Sequence, residues 1–410
     1  MNASAEVIRD FLLQLAVILA AARLGAWLFK RLGQPEVVGE ILAGLLLGPS
    51  FLGHFDLPLL SPQAFSETGS ILRGLSELGL VLFMFIVGLE FDFAHLRCSG
   101  RTAAAIAIAG IAVPFTLGAA LAYWLHPELA RDTPQSGFIL FFATALSITA
   151  IPVLGRIMIE LKIQRTRLGT LTITAAAIDD VLGWVLLASV SALVQGDFQW
   201  RGMFSMLAMV AVFLLLMIAA SRALRSFFFS PYTTERPPQL SLLAGVITIV
   251  LLSAVATEAI GVFSVFGPFI LGAALSHYQK FASVITEQLR PLVYTLLLPV
   301  FFTHTGLQTD IGQLDTAWLW GLCALVIFTA ILGKVAGCGF AARLGGLSWS
   351  ETIGVAVMMN TRALMGLVAI NIGRELGVVP PSVFTMLVLM AIVTTLMTTP
   401  VLRRLPGLSD

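Results

Sequence analysis

The 410-residue chain has little charge: Asp, Glu, Lys and Arg make up 11% of it, whereas a soluble domain usually carries about 25%. No polar stretch is long enough to form a separate soluble domain, and no run of Lys or Arg could follow a phosphate backbone. Because the net charge is only +1, nucleic-acid binding is excluded. Since 58% of the residues are hydrophobic, the composition indicates a protein embedded in lipid.

Cysteines and catalytic motifs are also scarce. The three cysteines, Cys98, Cys323 and Cys338, lack the spacing of a metal site, and we interpret them as buried thiols. The sequence contains no Gly-rich phosphate loop, no nucleophile elbow and no zinc-binding pattern. We therefore expect neither an enzyme nor a bound cofactor.

Long apolar runs recur along the whole chain, and each is long enough to cross a hydrocarbon core about 30 Å thick as a helix. They predict an all-α polytopic membrane protein with about 13 transmembrane helices. The predicted helices span residues 7–29, 35–52, 72–94, 101–125, 136–159, 167–194, 202–224, 239–257, 260–277, 284–305, 316–342, 350–374 and 381–402.

The distribution of positive charge predicts how the chain crosses the membrane. Of the 24 Lys and Arg residues, three lie deep inside predicted helices. Five lie in loops or near helix ends on the same side as the N-terminus, and the other sixteen lie in loops or near helix ends on the opposite side. Because Lys and Arg concentrate on the cytoplasmic side, we predict a multi-pass protein of the inner (cytoplasmic) membrane with its N-terminus outside and its C-terminus inside. The five on the outer side are Arg9, Arg73, Arg131, Arg201 and Arg374.

Two short strings recur in the same order, seven predicted helices apart. Gly39-Glu-Ile-Leu-Ala-Gly44 is similar to Gly267-Pro-Phe-Ile-Leu-Gly272, and Gly88-Leu-Glu-Phe-Asp92 is similar to Gly306-Leu-Gln-Thr-Asp310. An odd offset places matching ends on opposite membrane faces, which is typical of inverted-topology repeats. We predict a first repeat of helices 1–6, a linker helix 7 and a second repeat of helices 8–13, at residues 1–194, 195–237 and 238–410.

Four charged residues lie deep inside predicted helices: Asp179, Asp180, Lys334 and Arg362. Each costs at least about 2.5–3.5 kcal/mol near the bilayer centre, so each needs a partner or a function. A purely structural ion pair would account for one aspartate and Lys334 and leave the other aspartate unexplained. Adjacent aspartates on a helix point about 100° apart, which disfavours a protease-like dyad. One carboxylate can pair with Lys334 while the other faces an aqueous cavity, where a proton and a small cation compete for it.

Two predicted helices carry polar or helix-breaking residues at mid-depth. The fifth contains Ser147, Thr149 and Pro152, and the twelfth contains Asn360, Thr361, Arg362 and Gly366. Broken helices at corresponding positions of two repeats indicate an ion site near the membrane midplane. We predict helix breaks at Pro152 and Gly366, with ion ligands from Ser147, Thr149 and Asn360. For either segment alone, a proline kink or a snorkelling arginine is the alternative interpretation.

These segments resemble the monovalent cation:proton antiporter-2 family over essentially the whole chain. The strings that carry the resemblance are Gln34-Pro-Glu-Val-Val-Gly-Glu-Ile-Leu-Ala-Gly-Leu-Leu-Leu-Gly-Pro-Ser50, Gly88-Leu-Glu90, Ser147-Ile-Thr-Ala-Ile-Pro152, Ala177-Ile-Asp-Asp180, Lys334 and Asn360-Thr-Arg362. The Ser-Ile-Thr-Ala and Asn-Thr-Arg strings are similar to those of plant and fungal potassium/proton exchangers. The Asp-Asp pair with a lysine is similar to that of electrogenic bacterial sodium/proton antiporters.

The resemblance implies an antiporter that exchanges Na⁺ or K⁺ for H⁺ across the lipid bilayer as a homodimer. A mobile core domain of helices 4–6 and 11–13 would move as an elevator beside a dimerisation domain. Asp180 would bind cation and proton in turn. Asp179 beside it would be a second ligand of the Na⁺ or K⁺ and the partner of Lys334. Arg362 would be a further charge partner at this site, and the breaks near Thr149 and Asn360 would complete it.

Two other transport functions stay open on the sequence alone. An organic-anion/sodium symporter of similar architecture would not need the two aspartates together with Lys334. A channel-like potassium efflux protein would conduct without moving protons. A membrane scaffold without transport would leave all four deep charges without a function.

Overall fold

A computed structural model describes residues 3–51, 62–90, 100–149, 166–195, 240–260 and 264–405, with further single or paired positions at 154, 157–158, 161, 163, 209, 212–213 and 216–217. Within these residues the chain forms helices and connecting turns and no strand. Apolar side chains cannot satisfy backbone polar groups, so in long apolar runs the helix is the structure that pairs each N–H and C=O within its own segment.

The helices, numbered in chain order, are α1 (Ala3–Arg31), α2 (Glu36–Leu47), α3 (Pro62–Leu89), α4 (Gly100–Leu129), α5 (Gln135–Ser147), α6 (Arg167–Gln195), α7 (Leu240–Ala259), α8 (Phe266–Leu275), α9 (Gln279–Leu292), α10 (Leu298–Leu307), α11 (Ala317–Leu344), α12 (Trp349–Met359), α13 (Ala363–Glu375) and α14 (Pro381–Leu402). A π-helical turn, Val293–Leu297, joins α9 to α10, and a short 3₁₀ helix, Ile311–Gln313, precedes α11.

Seven of these helices, α1, α3, α4, α6, α7, α11 and α14, are long and apolar enough to cross a membrane. Two shorter apolar helices, α5 and α8, accompany them. The prediction of an all-α, multi-pass membrane protein is thereby confirmed, whereas the count of 13 spans stays a prediction. The predicted helix at 202–224 falls largely outside the described residues.

Capping residues set where the helices around the site begin. The Thr316 hydroxyl accepts a hydrogen bond from the Leu319 N–H at the start of α11. At the start of α12, the Ser348 side chain accepts from the Glu351 N–H and the Glu351 carboxylate accepts from the Ser348 N–H, which forms a capping box. Gly346, with φ of +80°, provides the left-handed turn that separates the two helices. The capping residues therefore determine where α11 and α12 begin.

The chain forms two compact units. The first consists of Met1–Thr68, Ala94–Val190 and Phe302–Asp410, and the second of Gly69–Phe93 and Ser191–Phe301. Each unit takes segments from both halves of the chain, so neither unit corresponds to one of the predicted repeats. The segments predicted for the mobile core lie almost entirely in the first unit, which also contains α1 and α2. The repeat boundaries stay a prediction.

The core of the first unit lies where α4, α6, α11 and α12 meet. Fully buried apolar side chains from these four helices pack together there, including Ile106, Ala175, Cys338 and Met358. Close packing of this kind leaves few voids, so the polar groups beside it are held in defined positions.

Glycines aligned in the two recurring strings make matching backbone contacts. In the first unit, a Cβ atom on Gly44 would lie 2.0 Å from the Thr303 carbonyl oxygen. In the second unit, a Cβ atom on Gly272 would lie 2.3 Å from the Phe85 carbonyl oxygen. Only glycine allows helices to approach this closely. The strings that recur in the sequence therefore occupy corresponding places in two separate helix pairs.

Candidate ion site at two broken helices

The first break follows α5. The helix ends at Ser147, and Ile148 has extended backbone angles of φ −77° and ψ 142°. The Ile148 N–H still donates to the Thr144 carbonyl, but Ile148 and Thr149 are no longer helical. The helix therefore ends before Pro152, and the predicted break at Pro152 lies outside the described residues.

The second break separates α12 from α13. Residues Asn360, Thr361 and Arg362 lie between the two helices, so the predicted twelfth helix is divided near its middle. The assignment of the break to Gly366 is wrong. The Gly366 N–H donates to the Arg362 carbonyl at 2.9 Å, which is the regular hydrogen bond of the first turn of α13. Gly366 lies inside the helix, and the chain breaks four residues earlier.

Thr149 connects the two breaks to each other and to α6. Its hydroxyl donates to the Met359 carbonyl at 2.8 Å, and its backbone N–H donates to Asp179 Oδ2 at 2.9 Å. The Met359 carbonyl is one of the groups at the end of α12 that lack a partner within the helix. A single threonine therefore satisfies a free helix end and binds a carboxylate of the neighbouring helix.

Asp179 of α6 forms a fully buried ion pair with Lys334 of α11. Lys334 Nζ lies 2.9 Å from Asp179 Oδ1, and both side chains have 0% exposure. Each oxygen of Asp179 accepts one hydrogen bond, because Thr149 binds the other. A buried carboxylate with two donors and a cationic partner is compensated as the anion. The depth of these charges predicted that Lys334 pairs with one of the two aspartates, and in the structure this aspartate is Asp179, as the family resemblance implied.

Asp180 lies beside this pair in a very different environment. The side chain is buried, with 1% exposure, and neither carboxylate oxygen has a hydrogen-bond partner in the part of the chain that the structure describes. The sequence predicts that the unpaired carboxylate faces an aqueous cavity, but in this conformation the surrounding helices cover it. An ionised carboxylate without a partner is expensive to bury, so Asp180 needs a bound proton or a bound cation here.

Arg362 contacts backbone carbonyls instead of a carboxylate. Its guanidinium is fully buried and donates to the carbonyls of Leu146 and Ala145 at the end of α5 and to that of Ala330 in α11, the last at 2.7 Å. Among the described residues Arg362 makes no hydrogen bond to either aspartate, and its role as a charge partner at this site stays a prediction. The end of α5 leaves carbonyls unpaired and carries partial negative charge, which a guanidinium satisfies.

Comparison with known proteins identifies the class of transporter. A sequence model described as "Sodium/hydrogen exchanger, transmembrane" matches residues 18–404. This chain belongs to the sodium/hydrogen exchanger family. The prediction of a monovalent cation:proton antiporter family is thereby confirmed.

The relatives of this exchanger include antiporters from bacteria, plants and yeast. The Na⁺/H⁺ antiporter NhaS4 of Synechocystis is 38% identical over 96% of both chains. Cation/H⁺ antiporter 19 of Arabidopsis thaliana is 35% identical over 95% of the exchanger, and K⁺/H⁺ antiporter 1 of Saccharomyces cerevisiae is 32% identical over 95% of it. The exchanger spans about half the length of these plant and yeast relatives, 49% and 46%.

A solved structure supports the fold. The sodium proton antiporter MjNhaP1 of Methanocaldococcus jannaschii, determined at pH 8, matches with a TM-score of 0.64. The match covers 97% of the exchanger and 96% of that chain at 14% sequence identity. At this identity the likeness shows that the fold is shared.

Two of the three predicted ion ligands of the exchanger, Ser147 and Asn360, make their hydrogen bonds to groups other than the aspartates. The Ser147 hydroxyl donates to the Ala143 carbonyl of its own helix at 2.6 Å. The Asn360 side chain donates to Met397 Sδ at 3.5 Å and accepts weakly from Arg362. Ion binding by Ser147 and Asn360 stays a prediction. Asp179 and Asp180 are the carboxylates at this site, and the described residues contain no group of three or more His, Cys, Asp or Glu that could hold a metal ion.

Two glycines that bring α4 and α11 of the exchanger together were not predicted from the sequence. A Cβ atom on Gly333 would lie 2.7 Å from Pro114 Cα, and one on Gly337 would lie 2.4 Å from the Ala109 carbonyl oxygen. Gly333 and Gly337 flank Lys334 at the four-residue spacing that marks close helix packing in membranes. This spacing could have placed α11 against another helix at the depth of Lys334.

Proposed function

We propose that this chain exchanges Na⁺ or K⁺ for H⁺ across the cytoplasmic membrane, and that the cation and the proton compete for Asp180. The observation that carries the proposal is the contrast between two adjacent carboxylates. Asp179 is fully compensated by Lys334 and Thr149, whereas Asp180 is buried without a hydrogen-bond partner among the described residues. The relatives named as Na⁺/H⁺ and K⁺/H⁺ antiporters support the same reaction.

Competition at one carboxylate is sufficient for exchange. The ionised Asp180 side chain must be neutralised while it is buried, and either a proton or a monovalent cation neutralises it. The two ligands cannot bind together without leaving an excess positive charge in a site that already contains Arg362. Because only a loaded carboxylate is stable in the closed site, each crossing carries one ligand, and inward and outward transport become coupled.

The hydrogen bonds at the site favour movement of its segments as one body. Thr149 joins the α5 break to α12 and to α6, and Arg362 joins the α13 end to α5 and α11. A core of helices 4–6 and 11–13 would move as an elevator within a homodimer, with the N-terminus outside. The predicted inverted repeats would explain the matching Gly44 and Gly272 contacts.

The test is exchange in proteoliposomes that contain a pH-sensitive dye. Asp180→Asn removes the ionisable group with almost no change in volume, so we expect exchange to fall to the rate of empty liposomes with Na⁺, Li⁺ or K⁺. Asp315→Asn, the same substitution at an exposed aspartate, is the matched control and should exchange normally. Thermal melting in detergent checks that both variants are folded.

Three results would contradict the proposal. Asp180→Asn could retain near wild-type dye signals, which would remove Asp180 from the reaction. The wild type could move K⁺ without moving protons, as a channel does. It could also take up Na⁺ only with an organic anion, as a symporter does.

A further inference from the structure

Gly110 of α4 lies against the buried ion pair, although it has no side chain. A Cβ atom at this position would lie 3.6 Å from Lys334 Nζ and 4.0 Å from Asp179 Oδ1, which are ordinary contact distances. It would also lie 2.5 Å from Cys338 Sγ, which is too short for any carbon–sulfur contact. The sulfur of Cys338 therefore occupies the space that a side chain at position 110 would need.

Cys338 has little freedom to give way. It is fully buried in the core formed by α4, α6, α11 and α12, and its thiol lies 3.7 Å from the Ile106 carbonyl oxygen. Ile106 precedes Gly110 by one helical turn, so the sulfur sits in a groove on the surface of α4. Since close-packed interiors have few voids, a methyl group at position 110 must push α11 away from α4.

Lys334 moves with α11. It precedes Cys338 by four residues and lies on the same face of the helix, and its ammonium reaches Asp179 at 2.9 Å. We propose that Gly110 is a positioning residue, whose missing side chain lets the Cys338 sulfur pack against α4 and thereby holds the Lys334 ammonium on Asp179. The inference rests on the proposed function and adds to it a residue of α4 that contacts the pair without carrying charge.

The test uses the purified 410-residue chain in proteoliposomes and four variants. Gly110→Ala introduces the clash, Cys338→Ala removes the sulfur, and the double variant combines the two changes. Gly25→Ala is the control, because its Cβ would also clash with a helix backbone, 2.3 Å from the Gly39 carbonyl oxygen, but between α1 and α2 and not between α4 and α11. Two quantities are measured for each: the maximal exchange rate and the cation concentration at half-maximal rate. Melting temperature in detergent is recorded in parallel.

We expect Gly110→Ala to raise the half-saturating cation concentration by about tenfold, as removal of a group that orients an ion ligand typically does. The double variant should return to the value of Cys338→Ala, because the methyl group then occupies the space left by the sulfur. Gly25→Ala should lower the melting temperature and the maximal rate without changing half-saturation, and Cys338→Ala should not relieve it. A general packing defect reduces only the amount of active protein, so it cannot produce this pattern.

The proposal is overturned if Gly110→Ala has wild-type half-saturation, or if the double variant stays as impaired as Gly110→Ala. If Gly110→Ala alone does not fold, the comparison of the double variant with Cys338→Ala decides, and a misfolded double variant contradicts the role of the sulfur. Absence of exchange by the wild type would instead refute the proposed function. In that case, the melting temperatures of Gly110→Ala and the double variant would still show whether a methyl group at position 110 clashes with the Cys338 sulfur.

Discussion

The contribution of the Asp179–Lys334 pair to the free energy of unfolding can be predicted from the hydrogen bonds that each side chain makes. Lys334→Met keeps the volume of the side chain but leaves Asp179 buried with one donor, the Thr149 N–H. Breaking a buried pair in this way costs about 3–5 kcal/mol. Asp179→Ala leaves two donors without an acceptor, the Lys334 ammonium and the Thr149 N–H. We expect it to cost a further 1–3 kcal/mol or so, the penalty of an unpaired buried group.

The double variant should be less destabilised than the sum of the two single variants. With both charges removed, neither member leaves an uncompensated charge in the core, and only the Thr149 N–H stays unpaired. The interaction energy between contacting residues reaches about 3 kcal/mol in such cycles, and we expect a value near this limit. Unfolding by SDS titration in mixed micelles, followed by tryptophan fluorescence, measures the free energy of unfolding for all four proteins.

An exposed pair provides the control. Arg73 and Glu77 of α3 lie 2.9 Å apart with 53% and 57% exposed side chains, so their cycle should give no more than about 0.5 kcal/mol. Equal coupling in the two cycles, or additive effects at Asp179 and Lys334, would show that the buried pair does not contribute as the contacts require. A Lys334→Met variant less stable than Asp179→Ala would contradict the assigned role of the Thr149 N–H.

Two further predictions concern charge movement and the second helix break. In a two-proton scheme, Lys334 releases its proton when a cation binds, so two protons exchange for one cation and net charge crosses the membrane. The exchange rate should then respond to the membrane potential, which is worth about 2.3 kcal/mol per charge per 100 mV, and Lys334→Gln should abolish this response. Equal rates at opposite potentials would exclude the two-proton scheme. Gly366→Ala should be tolerated and stabilise α13 by up to about 1 kcal/mol, because Arg362 Cβ, at 3.5 Å, is the one atom of the described residues that its Cβ would contact. If this variant does not fold, the helix break must instead be assigned to Gly366.

The helices and the ion pair could be predicted because each has a strong physical signal in the sequence. Apolar runs of membrane length have few alternatives to the helix, and the predicted span at 381–402 coincides with α14. A lysine and an aspartate at the same depth must meet or remain unpaired at high cost, which indicated Lys334 with one of the two aspartates.

Other features of the site had no such signal. Arg362 binds carbonyls, and every residue carries a carbonyl, so its partners at the end of α5 could not be predicted. Gly366 and Asn360 both lie in the interrupted segment, and only the hydrogen bond from Gly366 to Arg362 places the break. Gly110 contributes through an absent atom, which leaves no pattern of charge or hydrophobicity to detect.

The matched contacts of Gly44 and Gly272 have a consequence for which substitutions the protein tolerates. At both places one helix backbone touches another, so the contact does not depend on the identity of any side chain but is lost when one is added. Neighbouring apolar residues can therefore be replaced by other apolar residues, whereas these two positions tolerate no residue with a side chain. In a library of single substitutions, alanine should be as harmful as leucine at Gly44 and at Gly272, a signature that ordinary core positions do not give.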